Sequence, residues 1–103
     1  MSISAKIREE LISSFRAELN EHIQTMTDGL LALEQGSVRG KKRQAMLENT
    51  FRAAHSLKGA ARAMGATVIE QLAHALESIL DGIQHDTIEL TSDLFTACYQ
   101  ALD

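Results

Sequence analysis

A chain of 103 residues has room for one domain and one core. It has no proline, one cysteine and no apolar run near the ~18 residues of a membrane span, which excludes an internal disulfide framework and a spanning helix. The formal net charge of −4 is uneven: residues 39–62 hold seven basic side chains against one acid, Glu48, a net +6, and the remainder carries a net −10. A basic helix in an acidic protein points to a local anion rather than to a nucleic-acid duplex, whose bases would need aromatic platforms that this segment lacks. The N-terminus shows no signal-peptide core, so the expected setting is the cytoplasm, with no membrane and no nucleic acid as partner.

Ala, Leu, Glu and Gln are plentiful, and these side chains lose little rotamer freedom in a helix. The first helical stretch runs Ile7, Leu11, Phe15, Leu19, Ile23, Met26, Leu30, Leu33, with Gly36 as its stop and a loop from Gly36 to Gly40. The second runs Leu47, Phe51, Ala54, Leu57, Ala61, Met64 and ends at Gly65. The third opens with a capping-box pattern, Thr67-Val68-Ile69-Glu70, then shows Ile69, Leu72, Leu76, Ile79, Leu80 and Ile83. Residues 84–90 read as a polar connection, and Thr91 or Ser92 is placed to cap a fourth helix through Leu94, Ala97 and Leu102. Four helices with short links predict an all-α, antiparallel four-helix bundle. The last helix reaches Asp103 as if cut from a longer polypeptide, so the expectation allows for a further C-terminal helix and for a multidomain parent.

The second helix carries the chemistry. At 100° per residue, His55 lies about 200° from Leu57 and about 180° from Met64, so it points away from most of the core stripe. Arg52, Lys58, Gly59 and Arg62 fall within about 60° of it, giving an exposed imidazole among three cations and a glycine. Gly59 weakens a helix interior by ~1 kcal/mol relative to Ala but clears space for an incoming partner. If the second and third helices fold back about a turn near Ala66, Glu77 is level with His55, His74 with Lys58, and Glu70 with Arg62. A carboxylate level with an imidazole fixes its tautomer and leaves the other ring nitrogen free to attack phosphorus. Nearby cations would soften the charge of a phosphoryl group. Two plainer roles stay open here: Arg62 with Glu70 as a surface ion pair, and Glu70 as a member of the cap.

The run Phe51-Arg52-Ala53-Ala54-His55-Ser56-Leu57-Lys58-Gly59-Ala60-Ala61 resembles the histidine phosphotransfer domain of the CheA-type chemotaxis histidine kinases. The similarity extends to Gly65, to His74-Ala75-Leu76-Glu77 with Leu80-Asp81, and to Phe15-Arg16-Ala17-Glu18-Leu19, covering nearly the whole chain. The resemblance implies that His55 is the phosphorylated residue, with Glu77 as its hydrogen-bond partner and Lys58 and His74 flanking. It also implies ATP as donor, held by a separate kinase catalytic domain in cis or in trans. The acceptor would be an aspartate of a CheY-like response-regulator receiver, which supplies Mg²⁺. The domain itself would bind no cofactor or metal and, lacking a phosphate-cradling glycine loop, would be carrier rather than enzyme; kinase activity would belong to the parent protein. Arg52, Gly59 and Arg62 are the candidate partner contacts. Arg62 departs from the small residue of the family pattern and Met64 from an aromatic one; both bear on partner choice rather than on the reaction.

Two rival readings accompany this one. Glu70, His74 and Glu77 share one helix face at spacings suited to metal ligands, although a di-metal carboxylate bundle needs ligands from the other helices too. Alternatively the basic stripe is a passive docking surface, which accounts for the charge but not for the His–Glu register. His22 and His85 read as solvated surface residues, and Cys98 as a small filler with no histidine placed to activate it.

Overall fold

The computed structural model describes residues 3–85 and 91–102. Within them the chain forms α1 (Ile3–Gln35), α2 (Gly40–Ala63), α3 (Thr67–Gln84) and α4 (Ser92–Leu102), and no strand. The links between the first three helices are three or four residues long, so these helices pack antiparallel. Each of these two turns depends on a glycine with positive φ. At the end of α1, Gly36 (φ 63°) lets Ser37 N–H reach the Ala32 carbonyl at 3.3 Å and its own N–H reach Leu33 at 3.2 Å. At the end of α2, Gly65 (φ 70°) lets Ala66 N–H reach Ala61 at 2.8 Å and its own N–H reach Arg62 at 3.2 Å. Both are Schellman turns, which satisfy carbonyls that the helix end would otherwise orphan.

Three boundaries differ from the sequence expectation. Helix α2 starts at Gly40, almost two turns before Leu47, because its first residues (Gly40-Lys41-Lys42-Arg43) extend the helix into solvent without joining the core. No capping box opens α3: its N-cap is Ala66, which makes no side-chain cap, and Thr67 is already helical. The cause is the tightness of the turn, since Ala66 closes α2 and opens α3 at once. Gln84 ends α3 and His85 caps it, so only the rest of the expected polar connection follows, and residues 86–90 lie outside the described residues. Thr91 does cap α4, its Oγ1 accepting from Leu94 N–H at 3.1 Å.

The core is drawn from all four helices: Met26, Leu30 and Leu33; Leu47, Ala53, Ala54 and Leu57; Ala73, Leu76, Leu80 and Ile83; Phe95 and Cys98. Tyr99 ties α4 to α1 by donating to Glu34 Oε1 at 3.1 Å; burial and that acceptor push its phenol up to about 12. The buried residues of α1 all lie from Met26 onward. The expected core positions Ile7 and Leu11 are exposed, as is Leu72 of α3. Length explains the first two. With 33 residues against 24, α1 outlasts the helix folded back along it, and its first turns project along the 52 Å long axis.

Helices α1 and α2 approach closely where Gly29 meets Thr50. Thr50 is fully buried, and its hydroxyl donates to the Met46 carbonyl at 2.7 Å. A methyl group at Gly29 would collide with that hydroxyl. Gly29→Ala is therefore expected to destabilise the chain by about 1–2 kcal/mol, the overpacking penalty exceeding the gain in helix propensity. Urea unfolding checks this, and adding Thr50→Ala should restore part of the loss.

Candidate functional site

Ala53, Ala54, Leu57 and Ala61 turn one side of α2 into the core, and this sets the opposite side toward solvent. His55 stands on that outer side with its side chain 65% exposed. One turn earlier, the half-buried Phe51 lies parallel to the imidazole, with ring centroids 6.4 Å apart and planes 10° apart. The i, i+4 spacing of Phe51 and His55 is the signal in the sequence that would have paired them.

The hairpin brings Glu77 of α3 to His55, as the level rule predicts. Glu77 Oε2 lies 3.0 Å from His55 Nδ1, and its other oxygen, Oε1, accepts from Lys58 Nζ at 3.0 Å. An ionised carboxylate only accepts, so Nδ1 carries the proton in this pair. In the neutral ring Nε2 then holds the lone pair. Burial, the largest influence on Glu77, pushes its pKa up. Hydrogen bonds from Lys58 and His55 and the attraction of both groups outweigh it, and the carboxyl ends below its ordinary value of 4.5. The sequence register placed Lys58 level with His74. Its reach brings it instead to Glu77, a placement that Cα positions alone do not reveal.

Beside this pair an open cleft of about 550 Å³ runs from His55 to the α2–α3 turn. Lys58, Gly59, Arg62, Thr67, Glu70, Gln71 and His74 line the rest of it. The cleft thus gathers every candidate site residue except Arg52 and Glu77, whose carboxylate meets His55 at Nδ1. Arg52 lines a second cleft, between α1 and α2, with Glu21, His22, Asn49 and Ser56. Among the described residues Arg62 and Glu70 form no ion pair with each other or with any other group. Glu70 is also not part of a cap. Of the two histidines expected to be solvated, His22 is instead half-buried, while His85 is exposed as expected, its Nδ1 donating to the Asp81 carbonyl at 2.9 Å. Cys98 is buried, and burial pushes its thiol up, away from the nucleophilic thiolate. The described residues contain no group of three metal-ligating side chains, and both oxygens of Glu77 already accept hydrogen bonds.

Because Glu77 titrates lower when folded than unfolded, its contribution to stability is complete above pH ~4.5. It is lost as the pH falls through the lowered folded value. The stability difference between the wild type and Glu77→Gln should therefore be constant near neutrality and shrink below that pH. Urea midpoints measured from pH 7 to pH 3 check the sign.

The Hpt domain family model matches residues 10–103 of the chain. The chemotaxis protein CheA of Bacillus subtilis (strain 168) is 37% identical over 94 residues, covering 91% of this chain and 13% of that protein. The CheA of Halobacterium salinarum is 32% identical over 95 residues, covering 92% of this chain and 14% of that protein. The chain therefore spans only about an eighth of the length of these relatives. The solved CheA phosphotransferase domain from Thermotoga maritima shares its fold, with a TM-score of 0.78 and 36% identity over 92% of this chain and 86% of that one. By family model, relatives and fold together, this chain belongs to the Hpt domain family, as a phosphotransfer domain of the CheA type.

Proposed function

We propose that the chain carries a phosphoryl group on His55 Nε2, receiving it from ATP and passing it to a response-regulator receiver. The observation that carries this reading is the 3.0 Å contact between Nδ1 and Glu77 beneath a largely exposed ring. In the first step the Nε2 lone pair attacks the γ-phosphorus of ATP held by a kinase catalytic domain, in cis or in trans. The N–P bond forms as the bond to the β-phosphate oxygen breaks, and ADP leaves. The Nδ1 proton stays against Glu77, which stabilises the positive charge that the ring acquires.

In the second step a receiver aspartate attacks the same phosphorus. The O–P bond forms, the N–P bond breaks, and neutral His55 is restored. This domain supplies position and tautomer, while ATP and Mg²⁺ belong to the partner domains. Glu77 is a positioning residue, acting through the imidazole. Lys58 holds Glu77 in place, and His74 borders the path to the ring. Use of ATP fits a cytoplasmic setting, and no helix among the described residues is long and apolar enough to cross a membrane. The kinase activity and a CheY-like acceptor are proposed for the parent protein and its pathway.

Incubation with labelled ATP and a CheA-type kinase domain tests the reading. The label should be acid-labile and base-stable, and it should be absent from His55→Gln. A label that survives the substitution would sink the proposal. Glu77→Ala should slow labelling about tenfold or more with helicity intact, and Glu77→Gln, which keeps an acceptor oxygen, should recover part of the rate. Unchanged kinetics in Glu77→Ala would remove Glu77 from the site.

A further inference from the structure

The cleft beside His55 contains a cation that the carrier chemistry leaves unused. Lys58 is held by Glu77 at 3.0 Å, so its charge is already paired. Arg62 lines the same cleft, is exposed, and makes no ion pair or hydrogen bond through its side chain among the described residues. It lies seven residues beyond His55 on one helix, about 10.5 Å along the axis and about 20° around it. Between the two sits Gly59, where a Cβ would meet nothing within 4 Å. His55, Gly59 and Arg62 thus form one straight stripe with a bare centre, open to a flat approach by another protein.

We propose that Arg62 is the electrostatic anchor for the acidic face of the receiver domain. The inference rests on the carrier reading of His55. A receiver that accepts a phosphoryl group on aspartate with Mg²⁺ must bring carboxylates to the surface it presents, because that ion takes oxygen ligands. Outside residues 39–62 this chain is strongly acidic, and its overall charge of −4 repels such a face. An unpaired cation two turns from the reacting nitrogen offsets that repulsion locally and fixes the orientation of the encounter. Its distance also sets the limit of its role. Arg62 acts on docking and not on the phosphoryl group itself.

The test is rapid-quench transfer from the phosphorylated chain to a CheY-like receiver domain, at varied receiver concentration and salt. Arg62→Ala should lower kcat/KM about three- to fivefold at low salt, and Arg62→Glu about tenfold or more. Arg62→Lys should keep most of the rate, the saturating rate kcat should stay unchanged, and the differences should fade near 0.5 M salt, where screening is strong. Phosphorylation of His55 by the kinase domain is measured in parallel, and transfer is read only from chains that already carry the label. Wild-type kinetics in Arg62→Glu, or a loss confined to kcat, would overturn the role of Arg62 and leave the carrier reading standing. A loss confined to the kinase step would overturn it as well, by placing the residue on the donor. Failure of the wild-type chain to accept or pass on the label would strike down both.

Discussion

Everything at the site depends on the fixed register between α2 and α3. The chain turns from one to the other through Met64, Gly65 and Ala66, and the two hydrogen bonds of the glycine turn leave it no slack. The level of each residue on α3 is then set by counting from the turn. That count delivers Glu77 to His55, and one carboxylate then serves both His55 and Lys58. A one-residue slip would rotate every side chain of α3 by about 100° and carry the carboxylate away from the imidazole.

The site stabilises the fold little, whereas the fold fixes the site firmly. A partly exposed carboxylate with two donors is worth on the order of 1 kcal/mol, while each buried Leu or Ile contributes about 1.5–3 kcal/mol. The alanines of α2 and the Gly29–Thr50 contact allow the helices to approach closely. They hold α2 as a rigid rod on which His55 has one possible direction. The carrier role proposed for His55 gains from this division, because the exposure of the ring weakens nothing that holds the bundle together.

Charge is divided along the same lines. Lys58 is paired inside the site, Arg62 stands free at the end of the stripe, and Arg52 faces the other cleft with His22 and Glu21. The three cations that seem equivalent on a helical wheel therefore occupy three different environments. A wheel records angle alone. What a cation does depends on the neighbouring helix, and α1 and α3 flank α2 on different sides.

The sequence by itself determined the four helices, the glycine stops at Gly36 and Gly65, the outward direction of His55 and its pairing with Glu77. Each of these follows from local rules: helix period, positive φ at glycine, and equal rise along two antiparallel rods. Only the tertiary structure decided that Lys58, level with His74, reaches Glu77, that Arg62 and Glu70 share a cleft without pairing, and that Thr67 caps nothing. It also decided that Ile7, Leu11 and Leu72 stay in solvent. The apolar period of a helix marks which face is fit for burial, but burial needs a second helix of sufficient length opposite it. The reach of a long side chain likewise depends on distances between helices, and these are set by packing that no single stretch of sequence contains.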